Sequence, residues 1–278
     1  MNYSSDLSFE DYMEPRCVVC DVTKMGKDNV PSIPMDRIVP KYDEYMESRD
    51  YEGARRHLDY WYEEARVNGD LRGMFSVANE YLGHYRNRDM KEEAYRWVDT
   101  VLDLLSRLDM KGSVSEATCY TNVATVLNAF GDTEKAITYY DSALPVYEEH
   151  LKDSDERLGG LYNNMALALD RIGSYDRSIE MFGKAIEVMK KADRPLEVAI
   201  SYLNMANAYN GRYPDGQGEI YINQCLDKAA DIYDDPKNER TKYYAYVIDR
   251  SRDTFEYFGW TSYAQELDRR RDDIYAGA

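Results

Sequence analysis

Three asparagines, Asn122, Asn164 and Asn204, recur 42 and 40 residues apart, each two residues before an alanine (Ala124, Ala166, Ala206). A carboxamide donates and accepts hydrogen bonds at once. A row of them at fixed spacing can therefore pair with an extended main chain whatever side chains that chain carries. If the segments are helical, the same face carries Asn79 and Arg86, then Thr121, Thr125 and Asn128, then Asn163 and Arg171, and finally Asn207 and Asn210. The same amides have a second use open to them, as hydrogen bonds between helices that hold a scaffold together.

Other chemistry finds little support. Cys17-Val-Val-Cys20 is a lone C-x-x-C, and His57, His84 and His150 are scattered away from it. A structural zinc site needs a second pair of ligands at close spacing, and a redox dithiol needs a strand–helix setting, so these thiols read as incidental. Cys119 and Cys225 fall within helical patterns as small core residues. No serine or cysteine nucleophile comes with a nearby histidine, no phosphate loop is present, and no carboxylate pair is set in apolar surroundings. The sequence predicts neither an enzyme nor a bound cofactor or metal.

Net charge of −17 repels phosphate backbones and anionic lipid surfaces, which argues against nucleic acid and membrane as partners. No apolar run approaches the length of a membrane span. The first fifteen residues, with Asp6, Glu10, Asp11 and Glu14, lack the basic start and apolar core of a signal peptide, so a cytoplasmic location is expected. The 27 tyrosines suit half-buried helix-packing positions.

The elements that must position the amides are helices. Tyr120–Val146 slides onto Tyr162–Val188 with an offset of 42 residues, matching Tyr120 to Tyr162, Asn122 to Asn164, Gly131 to Gly173 and Ala143 to Ala185. A small or aliphatic residue, a large one four later and another three later recur as Ala54/Leu58/Trp61, Ala94/Val98/Val101, Ala136/Tyr140/Ala143, Ser178/Phe182/Ala185, Ile222/Leu226/Ala229 and Ala264/Asp268/Arg271. Residues 1–35 stand outside the repeat as an irregular arm in which Phe9, Tyr12 and Met13 could dock. From Asp36, read as a helix cap, residues 36–278 form one repeat domain of about six antiparallel helix pairs. Ser113-Val-Ser-Glu116 reads as a capping box, Asp132 and Ser174 as caps, and Asp235-Pro236 as the opening of the eleventh helix. Gly211–Gly218 reads as a longer turn or surface loop, and Arg269–Arg271 as the polar face of a terminal cap. No stretch alternates with the period of a strand, so the expected class is all-α, an α-solenoid.

These triplets, with the small residues Ala124, Ala166 and Ala206 on the first helices, resemble the tetratricopeptide repeat in a long form of 42 residues. Tyr162-Asn-Asn-Met-Ala-Leu-Ala-Leu is similar to the repeats of kinesin light chain and of bacterial peptide-sensing regulators. The resemblance implies a right-handed superhelix whose first helices line a concave groove for a protein or peptide ligand. It thereby assigns peptide binding to Asn79, Arg86, Asn122, Asn128, Asn163, Asn164, Arg171, Asn204 and Asn207. With only Arg86 and Arg171 basic there, the groove lacks the set of cations that grips a chain-terminal carboxylate. A peptide-responsive regulator is the alternative function, and self-association through tyrosine-rich faces is a third.

Overall fold

The computed structural model describes residues 32–277, and in these the chain is all-α. The irregular arm, its aromatic cluster and Cys17/Cys20 lie outside the described residues. Twelve helices follow in order: α1 Met35–Glu47, α2 Tyr51–Val67, α3 Leu71–Arg86, α4 Lys91–Arg107, α5 Val114–Ala129, α6 Thr133–His150, α7 Glu156–Arg171, α8 Tyr175–Lys191, α9 Pro195–Arg212, α10 Glu219–Asp234, α11 Lys242–Tyr257 and α12 Thr261–Ala276. Consecutive odd and even helices form hairpins, which gives the paired-helix stack of an α-solenoid. Packing divides the described chain between His150 and Leu151, so residues 32–150 and 151–277 each make a compact unit of three pairs.

The small residues explain why the pairs close. Ala54, Ala94, Ala136 and Ala143 on the second helices of the first unit are wholly buried, as are Ala124 on α5 and Ala166, Ala185 and Ala206 in the second unit. At such a crossing a larger side chain would force the axes apart. Ser178 takes the alanine place in α8, and its hydroxyl donates to the Ala166 carbonyl on α7 at 2.9 Å. A hydroxyl is thus tolerated where the backbones nearly touch, because the opposing helix satisfies it. Beside these sites, Leu58, Tyr140, Phe182 and Leu226 fill the holes between helices with no exposed surface. Trp61 is only half-buried.

Turn chemistry also follows from sequence. Gly173, at φ +74°, ends the α7–α8 turn in the left-handed region that favours glycine. Ser113 caps α5, accepting from the Glu116 amide at 3.2 Å, while the Glu116 carboxylate accepts from the Gly112 amide at 2.7 Å. Asp70 caps α3 through the Gly73 amide and also accepts from the Ile33 amide 37 residues away. A Cβ on Gly73 would lie 2.3 Å from that carboxylate and 2.7 Å from Ile33, so glycine leaves the space both contacts need.

Four local readings are corrected. Asp36 sits inside the first turn of α1 behind Pro34, not at its cap. Ser174 occupies the cap position of α8 but its side chain makes no cap bond. The eleventh helix begins at Lys242 under a Thr241 cap, because Asp235 and Asn238 fold the intervening segment by bonding the Lys237 amide and the Ile232 carbonyl. In the terminal pair, Arg270 turns inward to Asp234 and Glu266, and Arg271 joins Asp249 and Asp268, so only Arg269 of that run is largely solvated.

Ala136→Leu should lower the unfolding free energy by about 1–3 kcal/mol through overpacking at the α5–α6 crossing. Urea denaturation measures it, and an unchanged midpoint would refute the close-crossing account.

Candidate functional site

The amides come together in two places, one in each unit. In the first, the Asn79 amide on α3 donates to the Phe75 carbonyl at 2.9 Å, and its oxygen accepts from the Asn122 amide on α5 at 3.2 Å. In the second, the Asn163 oxygen on α7 accepts from the Asn204 amide at 3.2 Å and the Ser201 hydroxyl at 3.3 Å, both on α9. The Asn163 amide reaches the Asn164 oxygen at 3.5 Å. Both networks link the first helix of one pair to the first helix of the next, so the amides lock the register between neighbours.

Burial ranks the predicted residues. Asn163, Asn164 and Asn204 are each 2% exposed, and Asn79 and Asn128 are also buried. Asn122, Arg86 and Asn207 are half-buried and Arg171 is exposed. Asn128 accepts from the Thr133 hydroxyl at 3.1 Å across the α5–α6 turn, and Arg86 donates to the neighbouring Asn87. The structure therefore brings together Asn79 with Asn122, and Asn163 with Asn164 and Asn204.

Sequence reasoning missed the residues that complete the polar interior. Tyr140 and Tyr147 on α6 bond Thr125 and Thr118 on α5 at 2.9 and 2.7 Å, and Tyr233 bonds Ser251 at 2.7 Å. Glu197 on α9, 4% exposed, accepts from the Tyr243 hydroxyl on α11 at 2.9 Å. Glu80, beside Asn79, is likewise buried. A weak signal existed, since tyrosine paired with Ser or Thr at helix-crossing positions is a usual way to satisfy a buried hydroxyl.

Reactive groups are muted. Burial pushes the Cys225 thiol up to about 12, which leaves it protonated. Burial, helped by the Arg88 guanidinium, pulls His84 down to about 4. Its Nδ1 stands 3.4 Å from the Tyr42 hydroxyl. Among the described residues, no group of three or more His, Cys, Asp or Glu stands close enough to hold a metal ion, and no helix is long and apolar enough to cross a membrane.

Paired helices with small crossing residues, stacked so that first helices bond first helices, define a helical-repeat interaction scaffold. Residues 74–149 match one sequence profile of the tetratricopeptide repeat and residues 160–190 match a second. The two matches, with the paired-helix stack, support a tetratricopeptide-repeat family. Among solved structures it is similar to the nearly identical TPR-like repeats of a kinesin light chain from Podosopora anserina, at 15% identity and a TM-score of 0.52, over 72% of this chain and 94% of that one. It is also similar to BtubC (BKLC) from P. vanneervenii, at 16% identity and a TM-score of 0.52, over 87% and 92% of the two chains. At such identity the likeness is one of fold. No curated protein matches the sequence.

Two outcomes test this description. Asn163→Ala should cost about 1–3 kcal/mol, because it strands the Ser201 and Asn204 donors in a buried setting, whereas Asn122→Ala at its half-buried position should cost less; chemical denaturation ranks the two. His84 favours its neutral form in the folded chain, so its contribution is complete above about pH 6.5 and is lost as pH falls towards 4, by about 2 kcal/mol once solvent screening is allowed for. His84→Gln should flatten the stability profile across that window, and an equally steep profile in the variant would assign the loss to other groups.

Proposed function

We propose that this chain binds an extended protein or peptide segment along the first-helix face of its repeats, in the long 42-residue form of the tetratricopeptide repeat. Support comes from the polar face itself, with amides at corresponding places in both units joined by the same kind of first-helix pairing. Tetratricopeptide repeats serve in general as interaction scaffolds.

Burial sorts the roles. Asn163 and Asn204 act mainly on each other, setting the spacing of the face. Asn122 and Asn207, with the cations Arg86 and Arg171, offer the surface a ligand would reach. The amide sites suit main-chain groups, which gives affinity for an extended segment without demanding one sequence. A cytoplasmic setting belongs to the same reading.

Asn122→Ala and Asn207→Ala together should weaken peptide capture about tenfold or more while the melting curve stays close to that of the parent chain. Calorimetry with peptides selected on the parent protein checks this. Unchanged affinity would remove the first-helix face as the binding surface.

A further inference from the structure

Among the described residues of the first unit, Tyr60 at 57% and Val67 at 70% are the large apolar side chains left exposed, and both stand on α2. Seven residues apart, they share one stripe of that helix. The opposite flank of α2 serves the pair that follows. There Asp59 accepts from the Tyr81 hydroxyl on α3, and the Tyr62 ring meets Trp97 on α4 at 5.0 Å. At 100° per residue, Tyr60 and Val67 point about 140–160° away from Tyr62. Aromatic rings widen the exposed stripe. Tyr60 meets the half-buried Trp61 at 5.1 Å, Trp61 meets His57 at 6.4 Å, and His57 meets Tyr45 on α1 at 5.8 Å. In a stack each pair covers the flank of its neighbour, and an end flank is ordinarily polar. α1 and α2 are the first pair among the described helices, and their open flank is aromatic.

Charge on this flank is also unmet. Arg56 lies on the same side of α2 as Tyr60, and Arg37, Lys41 and Tyr45 recur four residues apart on α1. Lys41 pairs with Glu44. Arg37 and Arg56 form no ion pair among the described residues, although the chain has 52 acidic side chains against 35 lysines and arginines.

The chain itself carries a matching segment. The described structure starts at Ser32, and the Ile33 amide bonds Asp70 at 3.0 Å. That bond fixes the entry of the chain at the α2–α3 turn, three residues past Val67. Upstream, Phe9, Tyr12 and Met13 fall three and four residues apart, the spacing of one apolar edge of a helical turn, with Asp6, Glu10, Asp11 and Glu14 around them. The 18 residues from 14 to 31 reach up to about 60 Å when extended, and α2 is only about 25 Å long. A tether of that length keeps the segment at high effective concentration, so modest contacts suffice to hold it.

We propose that residues 9–13 dock on the open flank of α2 in the same chain, with Phe9, Tyr12 and Met13 against Tyr60, Trp61 and Val67 and the neighbouring carboxylates towards Arg37 and Arg56. The arm then serves as the cap of the first pair and leaves the first-helix face free. The inference is independent of the peptide-binding reading, which stands or falls without it.

The test places the photoreactive p-benzoylphenylalanine at Tyr60 of the full chain, an exposed position that tolerates it. Irradiation joins it to whatever lies against it, and peptide mass spectrometry locates the join. An equal mixture of unlabelled and nitrogen-15-labelled chain separates crosslinks within one chain from crosslinks between copies. The expected product is a crosslink within one chain from position 60 to residues 9–13. Phe9→Ser, Tyr12→Ser and Met13→Ser together should abolish it, and Arg37→Glu with Arg56→Glu should reduce it.

Crosslinks only between copies would assign the flank to self-association and overturn the proposal. So would a join to some other part of the chain, no join at all, or a crosslink undiminished by the three serines. If a substituted variant fails to fold, the crosslink map of the chain altered only at Tyr60 still decides.

Discussion

The close approach of paired helices at small residues is the constraint from which the rest of the structure follows. Alanine at 54, 94, 136, 143 and 185 leaves no exposed surface, and the serine at 178 fits only because its hydroxyl lands on a carbonyl of the opposite helix. Once two helices touch there, their large neighbours are driven outward onto the next pair. No single pair hides its apolar face, so stability is shared along the stack. Fixed spacing between the triplets is what such sharing demands of a sequence.

Enclosure has a second consequence. First helices are packed on several sides, and α7 carries a run from Leu158 to Leu169 in which every residue is buried. Polar side chains in such a run cannot rely on water and must find one another. Asparagine does this across neighbouring first helices, and tyrosine does it between first and second ones. The abundance of tyrosine then has a plain physical use: Tyr42, Tyr81, Tyr140, Tyr147, Tyr233 and Tyr244 are large enough to fill the interior and carry a hydroxyl that reaches its far side.

Much of this was legible in the sequence because period and turn chemistry are local. The Ser113 capping box opens α5 and the alanines of the triplets lie buried at the crossings, whereas the start of α11 departs from the sequence reading. That start was misread because Pro236 looks like a first-turn residue, whereas Asx-type bonding by Asp235 and Asn238 and the later Thr241 cap decide the matter. α9 also runs on to Arg212, shortening the loop expected from Gly211. The division between His150 and Leu151 left no mark in the repeat spacing, since it depends on packing density rather than on helix signals. At the candidate site, the sequence identified the amides but not what they touch. Partners such as Ser201 and Tyr243 lie 38 and 46 residues from the groups they bond, and hydrogen bonds between helices carry no periodic signature.

The amides illustrate why a scaffold residue and a recognition residue need not be different residues. Asn163 spends its oxygen on two donors of α9, which fixes how far apart the first helices stand, and that distance sets the spacing any ligand must match. Its neighbour Asn164, one position along the same helix and rotated by about 100°, contributes an oxygen to the network. Adjacent residues on a helix cannot both face the neighbouring pair, so a doubled asparagine divides the labour by geometry alone. Where α5 has Thr121 before Asn122, the threonine bonds its own backbone at Ala117 and the asparagine supplies the link between helices. The two units thus reach one architecture by different assignments of the same polar groups.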